Sequence, residues 1–97
     1  MYDAGMQVEF DPVKATTNLK KHGVSFTEAV GSLLDPMALV REDEEAQGEA
    51  RFVLTGRSED GRLLTVCYTL RDDDETIRLI SARESTRREE RQYAQGI

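Results

Sequence analysis

Residues 1–97 are enough for one domain with a single core and too few for a second. A hydrophobic fraction of 38% against 33% charge and a net charge of −6 gives a polar chain, yet periodic apolar runs broken by turn residues argue against disorder. No run approaches the roughly 20 apolar residues of a membrane span, no signal-peptide pattern leads the chain, and a single Cys67 rules out an internal disulfide, so a cytoplasmic protein is expected.

Val8-Glu9-Phe10 reads as a short first strand. Asp11-Pro12 then opens a helix, with Asp11 able to cap the first amides and Pro12 suited to the first helical position. That helix runs to His22 and closes on Gly23. The spacing of Ala15, Leu19 and His22 predicts one stripe, with His22 on or beside the buried face. Ser25-Phe26-Thr27-Glu28 is a capping-box pattern, and Phe26, Ala29, Val30, Leu33 and Leu34 continue it as an apolar helical face ended by Asp35-Pro36.

Met37 to Val40 is expected as a second strand, followed by an acidic loop through Gly48. Arg51 to Thr55, Leu63 to Leu70 and Thr76 to Ser81 carry three further strand signals, separated by the Ser58–Gly61 turn and an acidic loop. Connections this short predict an antiparallel meander. A last helix is expected from about Ser85 to Ala94. The fold class is therefore α+β: two N-terminal helices, a curled antiparallel sheet and one C-terminal helix.

Charge is distributed unevenly. Acid is concentrated at Glu42–Glu45, Glu59-Asp60 and Asp72–Glu75, all in expected loops. Base is concentrated in Lys14, Lys20 and Lys21 and again in Arg78, Arg83, Arg87, Arg88 and Arg91. If the two basic segments meet, an acidic protein would hold a local site for an anion, while its acidic remainder could meet a basic partner.

His22 is the single histidine, and a helix C-terminus favours its protonated form. On position alone it reads equally as a proton handler or as a helix-ending ring packed on Leu19. No Cys/His pair has metal-ligand spacing, so no metal or other cofactor is expected. Cys67, in mid-strand, reads as a small buried filler. Arg83, Arg87 and Arg91 recur every four residues and would stack along one helical face, with Arg88 placed to pair with Glu84. Arg78 and Arg83 lie in or at the end of an apolar strand, so their guanidiniums must reach a carboxylate, a carbonyl or a ligand phosphate. Alternation puts Arg51 and Arg57 on one side of the neighbouring strand, with Glu49 just before it.

In sum the residues resemble a known family, the BrnT toxins of BrnT/BrnA type II toxin–antitoxin systems. The resemblance rests on Phe10–Lys14, on Asn18-Leu19-Lys20-Lys21-His22-Gly23-Val24-Ser25-Phe26 through Ala29, and on Leu34-Asp35-Pro36. It continues through Gly48–Phe52, Gly56-Arg57, Ile77-Arg78-Leu79-Ile80-Ser81-Ala82-Arg83, Thr86–Glu89 and Tyr93. Phe10 meets Asp11 directly where the family often has Trp, and Glu84-Ser85 stands where a basic residue and Ala are more usual.

The resemblance implies a compact RelE-like ribonuclease that cleaves RNA without metal and inhibits translation. It also implies a BrnA-like antitoxin that neutralises the toxin in a hetero-oligomer and alone contacts DNA. Carried over by position, His22, Arg57 and Arg83 are the first catalytic candidates, with Lys21 and Glu49 next. Lys14, Lys20, Arg78, Arg87 and Arg91 are candidates for RNA binding. The rival expectations are a non-enzymatic protein-binding module, or a degenerate toxin that keeps only its antitoxin contacts.

Overall fold

The computed structural model describes residues 5–96. Its elements run β1 (Gln7–Glu9), α1 (Pro12–His22), α2 (Phe26–Leu33), β2 (Leu39–Glu42), β3 (Phe52–Arg57), β4 (Leu63–Arg71), β5 (Thr76–Glu84) and α3 (Arg87–Gln95). The five strands form one sheet in the order β1-β5-β4-β3-β2. β2 to β5 make the expected antiparallel meander. The sheet as a whole is mixed, however, because β1 lies parallel to β5, with Val8 beside Ile77 and Glu9 beside Arg78. The physical reason is that α1 and α2 carry the chain across one face before β2 begins. That leaves the exposed edge of β5 to receive the apolar Val8.

Helix boundaries follow their caps. The Asp11 side chain accepts from the Val13 amide, Pro12 occupies the first turn, and Gly23 closes α1 at φ 69°, a left-handed geometry that costs a Cβ-bearing residue energy. Ser25 Oγ accepts from the Glu28 amide, as the capping pattern predicts. The Glu28 carboxylate does not complete that box; it turns instead to Arg62 and Ser58.

The inner face of the sheet packs Leu54, Leu64, Val66, Tyr68, Leu79 and Ala82 against Val24, Phe26, Ala29 and Leu33. Gly56 lets α2 sit this close: a Cβ there would lie 2.6 Å from the Ser32 carbonyl oxygen. The expected stripe on α1 is corrected by one residue. Leu19 is 50% exposed, and Asn18 is the residue that turns inward, 6% exposed. Its Nδ2 donates to the carbonyls of Val24 (2.9 Å) and Ala82 (2.8 Å), and its Oδ1 accepts from the Ala82 amide (3.1 Å). A buried amide with this many partners is a strut between α1 and β5.

α3 lies on the other face of the sheet. It is entered through a capping box, Thr86 with Glu89, and none of its residues is fully buried. β5 continues to Glu84, so Arg83 belongs to a strand and does not stack with Arg87 and Arg91 on one helix. Nor does Arg88 pair with Glu84, whose carboxylate lies 3.8 Å from Arg62. No described helix is long and apolar enough to cross a membrane.

Candidate functional site

Strand alternation distributes the candidate residues over two faces. Leu54, Leu64, Val66 and Ala82 face α1 and α2, so Thr55, Arg57, Thr65 and Arg83 between them face α3. Arg83 stands beside Thr65 across the β4–β5 ladder, and Thr65 beside Thr55 across β3–β4. α3 lies over this row.

Glu89 of α3 fills the fork of Arg83: Nη1 to Oε1 is 2.8 Å and Nη2 to Oε2 is 3.0 Å. The same carboxylate accepts from the Thr65 hydroxyl at 3.0 Å and from the Thr86 amide at 2.8 Å. Because the single Thr65 proton goes to Glu89, the Ser85 hydroxyl donates in the 2.9 Å Thr65–Ser85 contact. Burial alone would raise the Glu89 carboxyl; the Arg83, Thr86 and Thr65 hydrogen bonds outweigh it and hold the group at about 2. Arg83 is correspondingly held more firmly protonated. The expectation that Arg83 must find an anion is met, and the anion is internal.

Arg57 is held in a second cluster. Its Nη1 donates to the Gly61 carbonyl at 2.9 Å, and its guanidinium carbon lies 5.5 Å from the centre of the Tyr93 ring. Its amide donates to Asp35 Oδ2 at 2.7 Å, and Tyr93 donates to the same oxygen at 2.6 Å. Burial works to raise Asp35, but the Tyr93 hydroxyl and the Arg57 and Met37 amides win and lower it. Asp35 thus joins the end of α2, the end of β3 and α3. Nothing in the sequence pattern singled it out beyond its role before Pro36.

His22 ends α1 on the opposite, inner side and is half-buried. Among the described residues no hydrogen bond, ion pair or ring contact joins it to Arg57 or Arg83. On that same inner side lies Arg62, which nothing in the sequence pattern singled out. Arg62 donates from Nε to Glu28 at 2.9 Å and from Nη2 to the Gly23 carbonyl at 3.1 Å, directly after His22. The Arg62 hydrogen bond is the main reason Glu28 is lowered.

Other candidates lie elsewhere. Glu49 pairs with Arg71 at 3.4 Å, at the far end of β3 from Arg57. Arg57 ends the six-residue strand, about 20 Å of extended chain, that Glu49 precedes. Arg78 is engaged by Glu9 across the β1–β5 pair. Lys14, Lys20, Lys21, Arg87 and Arg91 are exposed on α1 and α3. Among the described residues no three His, Cys, Asp or Glu side chains are grouped to hold a metal ion.

A family model described as the ribonuclease toxin BrnT of type II toxin–antitoxin systems matches residues 10–89. Among solved structures, the chain is similar to the Brucella abortus ribonuclease toxin BrnT, seen in a 1.1 Å crystal structure, with a TM-score of 0.65 and 23% identity. That likeness covers 84% of this chain and 99% of the other, and it concerns the fold. No curated protein matches the chain significantly.

Proposed function

The chain belongs to the BrnT family of ribonuclease toxins of type II toxin–antitoxin systems, and from that premise we propose that it cleaves RNA by metal-independent acid–base transfer and so inhibits translation. The observation that carries the reading is the family match from residue 10 to residue 89, which spans every catalytic candidate. We read the fold as RelE-like, the domain as the whole chain, and the location as cytoplasmic. A BrnA-like antitoxin is the partner that neutralises it in a hetero-oligomer and carries the DNA contacts.

In this reading a base takes the proton of a ribose 2′-OH, and the oxygen forms a bond to phosphorus. The bond from phosphorus to the 5′-oxygen breaks, and an acid protonates that oxygen. His22 supplies one of the two proton transfers. Arg83 and Arg57 stabilise the charge that develops on the phosphate, and Lys21 assists binding. Glu49, paired with Arg71, serves better as an orienting group than as the second acid or base. Lys14, Lys20, Arg78, Arg87 and Arg91 supply wider RNA contacts. For a phosphate to reach the Arg83 fork it must take the place of Glu89, which occupies it.

The test is RNA cleavage by the purified chain in the presence of a chelator, with and without the antitoxin. Cleavage that persists with chelator and stops on antitoxin addition is expected. Intact RNA from a folded chain would refute the enzymatic reading. A second reading, a chain that only binds its antitoxin, is favoured by the Glu89 clamp and by the lack of contact between His22 and the two arginines; intact RNA with antitoxin binding retained is its signature.

A further inference from the structure

The outer face of the sheet is covered by α3 over the Thr55–Thr65–Arg83 row. Beyond it the next row along the strands is Arg41–Val53–Cys67–Ser81, and Arg51, immediately before β3, follows with Asp43 beside it. Almost every other arginine of the strands and their hairpins has a partner: Arg57 has Gly61, Arg62 has Glu28, Arg71 has Glu49, Arg78 has Glu9 and Arg83 has Glu89. Arg41 and Arg51 do not. Among the described residues neither guanidinium has a hydrogen bond or an ion pair.

Arg51 is the more telling of the two. It is half-buried, and its Nε is out of contact with solvent and without an acceptor. A buried donor of a charged group left unpaired is costly, so an acceptor is expected to complete it. Asp43 is not that acceptor: its Oδ1 receives the Glu45 amide in its own loop, and it makes no ion pair with Arg51. Arg41 and Arg51 are diagonal neighbours across the β2–β3 ladder, a separation of about 7–8 Å between their backbones that two long side chains can close. Burial pushes the Cys67 thiol up; the field of Arg51 opposes this, that of Asp43 adds to it, and that of Arg41 opposes it. Beside Arg41 a groove of about 320 Å³ runs between Leu39, Val53, Thr55 and Gln92 of α3.

Resting on the proposed ribonuclease reading, we infer that Arg51 and Arg41 form a phosphodiester-binding site on the open sheet face, with the adjoining nucleoside lying in the groove under Gln92. The Nε–Nη edge of an arginine matches two phosphate oxygens, and Arg51, whose Nε is buried without an acceptor, turns its side chain outward to present that edge. The site lies on the same face as Arg83, with Arg41 one row and Arg51 two rows beyond it, so a single strand of RNA bound there is led toward the Glu89-covered fork.

The experiment is binding of a fluorescent single-stranded 2′-O-methyl oligonucleotide, which the attacking hydroxyl's absence makes uncleavable, across a salt series. Arg51→Ala and Arg41→Ala are each expected to weaken binding about tenfold and to lower the salt-dependence slope by about 0.7 per lost contact. Arg88→Ala removes the same charge from exposed α3 and calibrates the loss of net charge alone. Arg51→Lys should recover part of the slope and less of the affinity, because it keeps the charge and loses the fork. Binding by Arg51→Ala and Arg41→Ala equal to that of Arg88→Ala overturns the site, as does a wild-type chain that does not bind the oligonucleotide. If the wild type binds through Arg51 but leaves ordinary RNA intact, the ribonuclease reading fails and the site stands. If it cleaves RNA while both variants bind and cleave normally, the site fails alone.

Discussion

Arg83 on β5 and Glu89 on α3 are joined by two parallel hydrogen bonds of 2.8 and 3.0 Å, and this pair fastens a helix that buries none of its own residues. The pair therefore controls both the seating of α3 and the availability of the arginine that the proposed reaction needs.

Its first consequence is a pH dependence of stability. The Glu89 carboxyl is held at about 2 in the folded chain against an ordinary 4.5, so its contribution is complete above pH 4.5 and is lost as pH falls toward 2. Thermal unfolding should show the midpoint dropping through that window. Glu89→Gln should cost about 2 kcal/mol at neutral pH and flatten the acid limb. An acid limb identical in the two proteins would show that the pair contributes nothing.

The same substitution separates structure from chemistry. Arg83→Ala should lower RNA cleavage by about 10²–10³-fold, the scale of losing one transition-state donor. Glu89→Gln frees the fork while loosening α3, so it should retain or raise cleavage despite lower stability. Parallel losses of stability and cleavage in both variants would make Arg83 a structural residue only.

His22→Ala should reduce cleavage about 10²–10⁴-fold with an unchanged unfolding midpoint, the range for a general acid or base. Wild-type cleavage by the folded variant would remove His22 from the reaction.

Asn18→Ala should destabilise the fold by about 2–3 kcal/mol, since it strands the Ala82 amide and the carbonyls of Val24 and Ala82 in the interior. Chemical denaturation reads this directly. A loss below about 0.5 kcal/mol would mean that water replaces the side chain.

Gly56→Ala should be at least as harmful, because the added carbon meets the Ser32 backbone oxygen at 2.6 Å and neither strand nor helix can give way cheaply. An unfolding midpoint equal to the wild type would show that α2 can slide off β3.

Much of the local structure was legible because its causes are local. Asp11, Pro12, Gly23 and Ser25 mark helix ends through bonds spanning a few residues, and the structure places them in those roles. Asn18 was not legible: a polar residue one step from an apolar stripe reads as surface, and its partner Ala82 is 64 residues away. The parallel pairing of β1 escaped for the same reason. Arg83 misled because a spacing of four from Arg87 imitates a helix, while its pairing with Thr65 keeps it in the sheet. For the site, the need of Arg78 and Arg83 for partners followed from their apolar strand. Which carboxylates would answer depended on where β1 and α3 came to rest. The isolation of Arg41 and Arg51 is a property of the assembled sheet and has no sequence signature.

The joining of β1 to β5 has a temporal meaning. Glu9 and Arg78, 69 residues apart, are partners, and the Asn18 strut waits for Ala82. Contacts this distant form late, since the loop between them must first be closed. As the chain leaves the ribosome, α2 can meet β3 midway, but α1 has no strand to dock on until β5, in the last third, has been made. A toxin arranged in this way stays unassembled through most of its own synthesis, and a prematurely terminated product is left without its central strand partner.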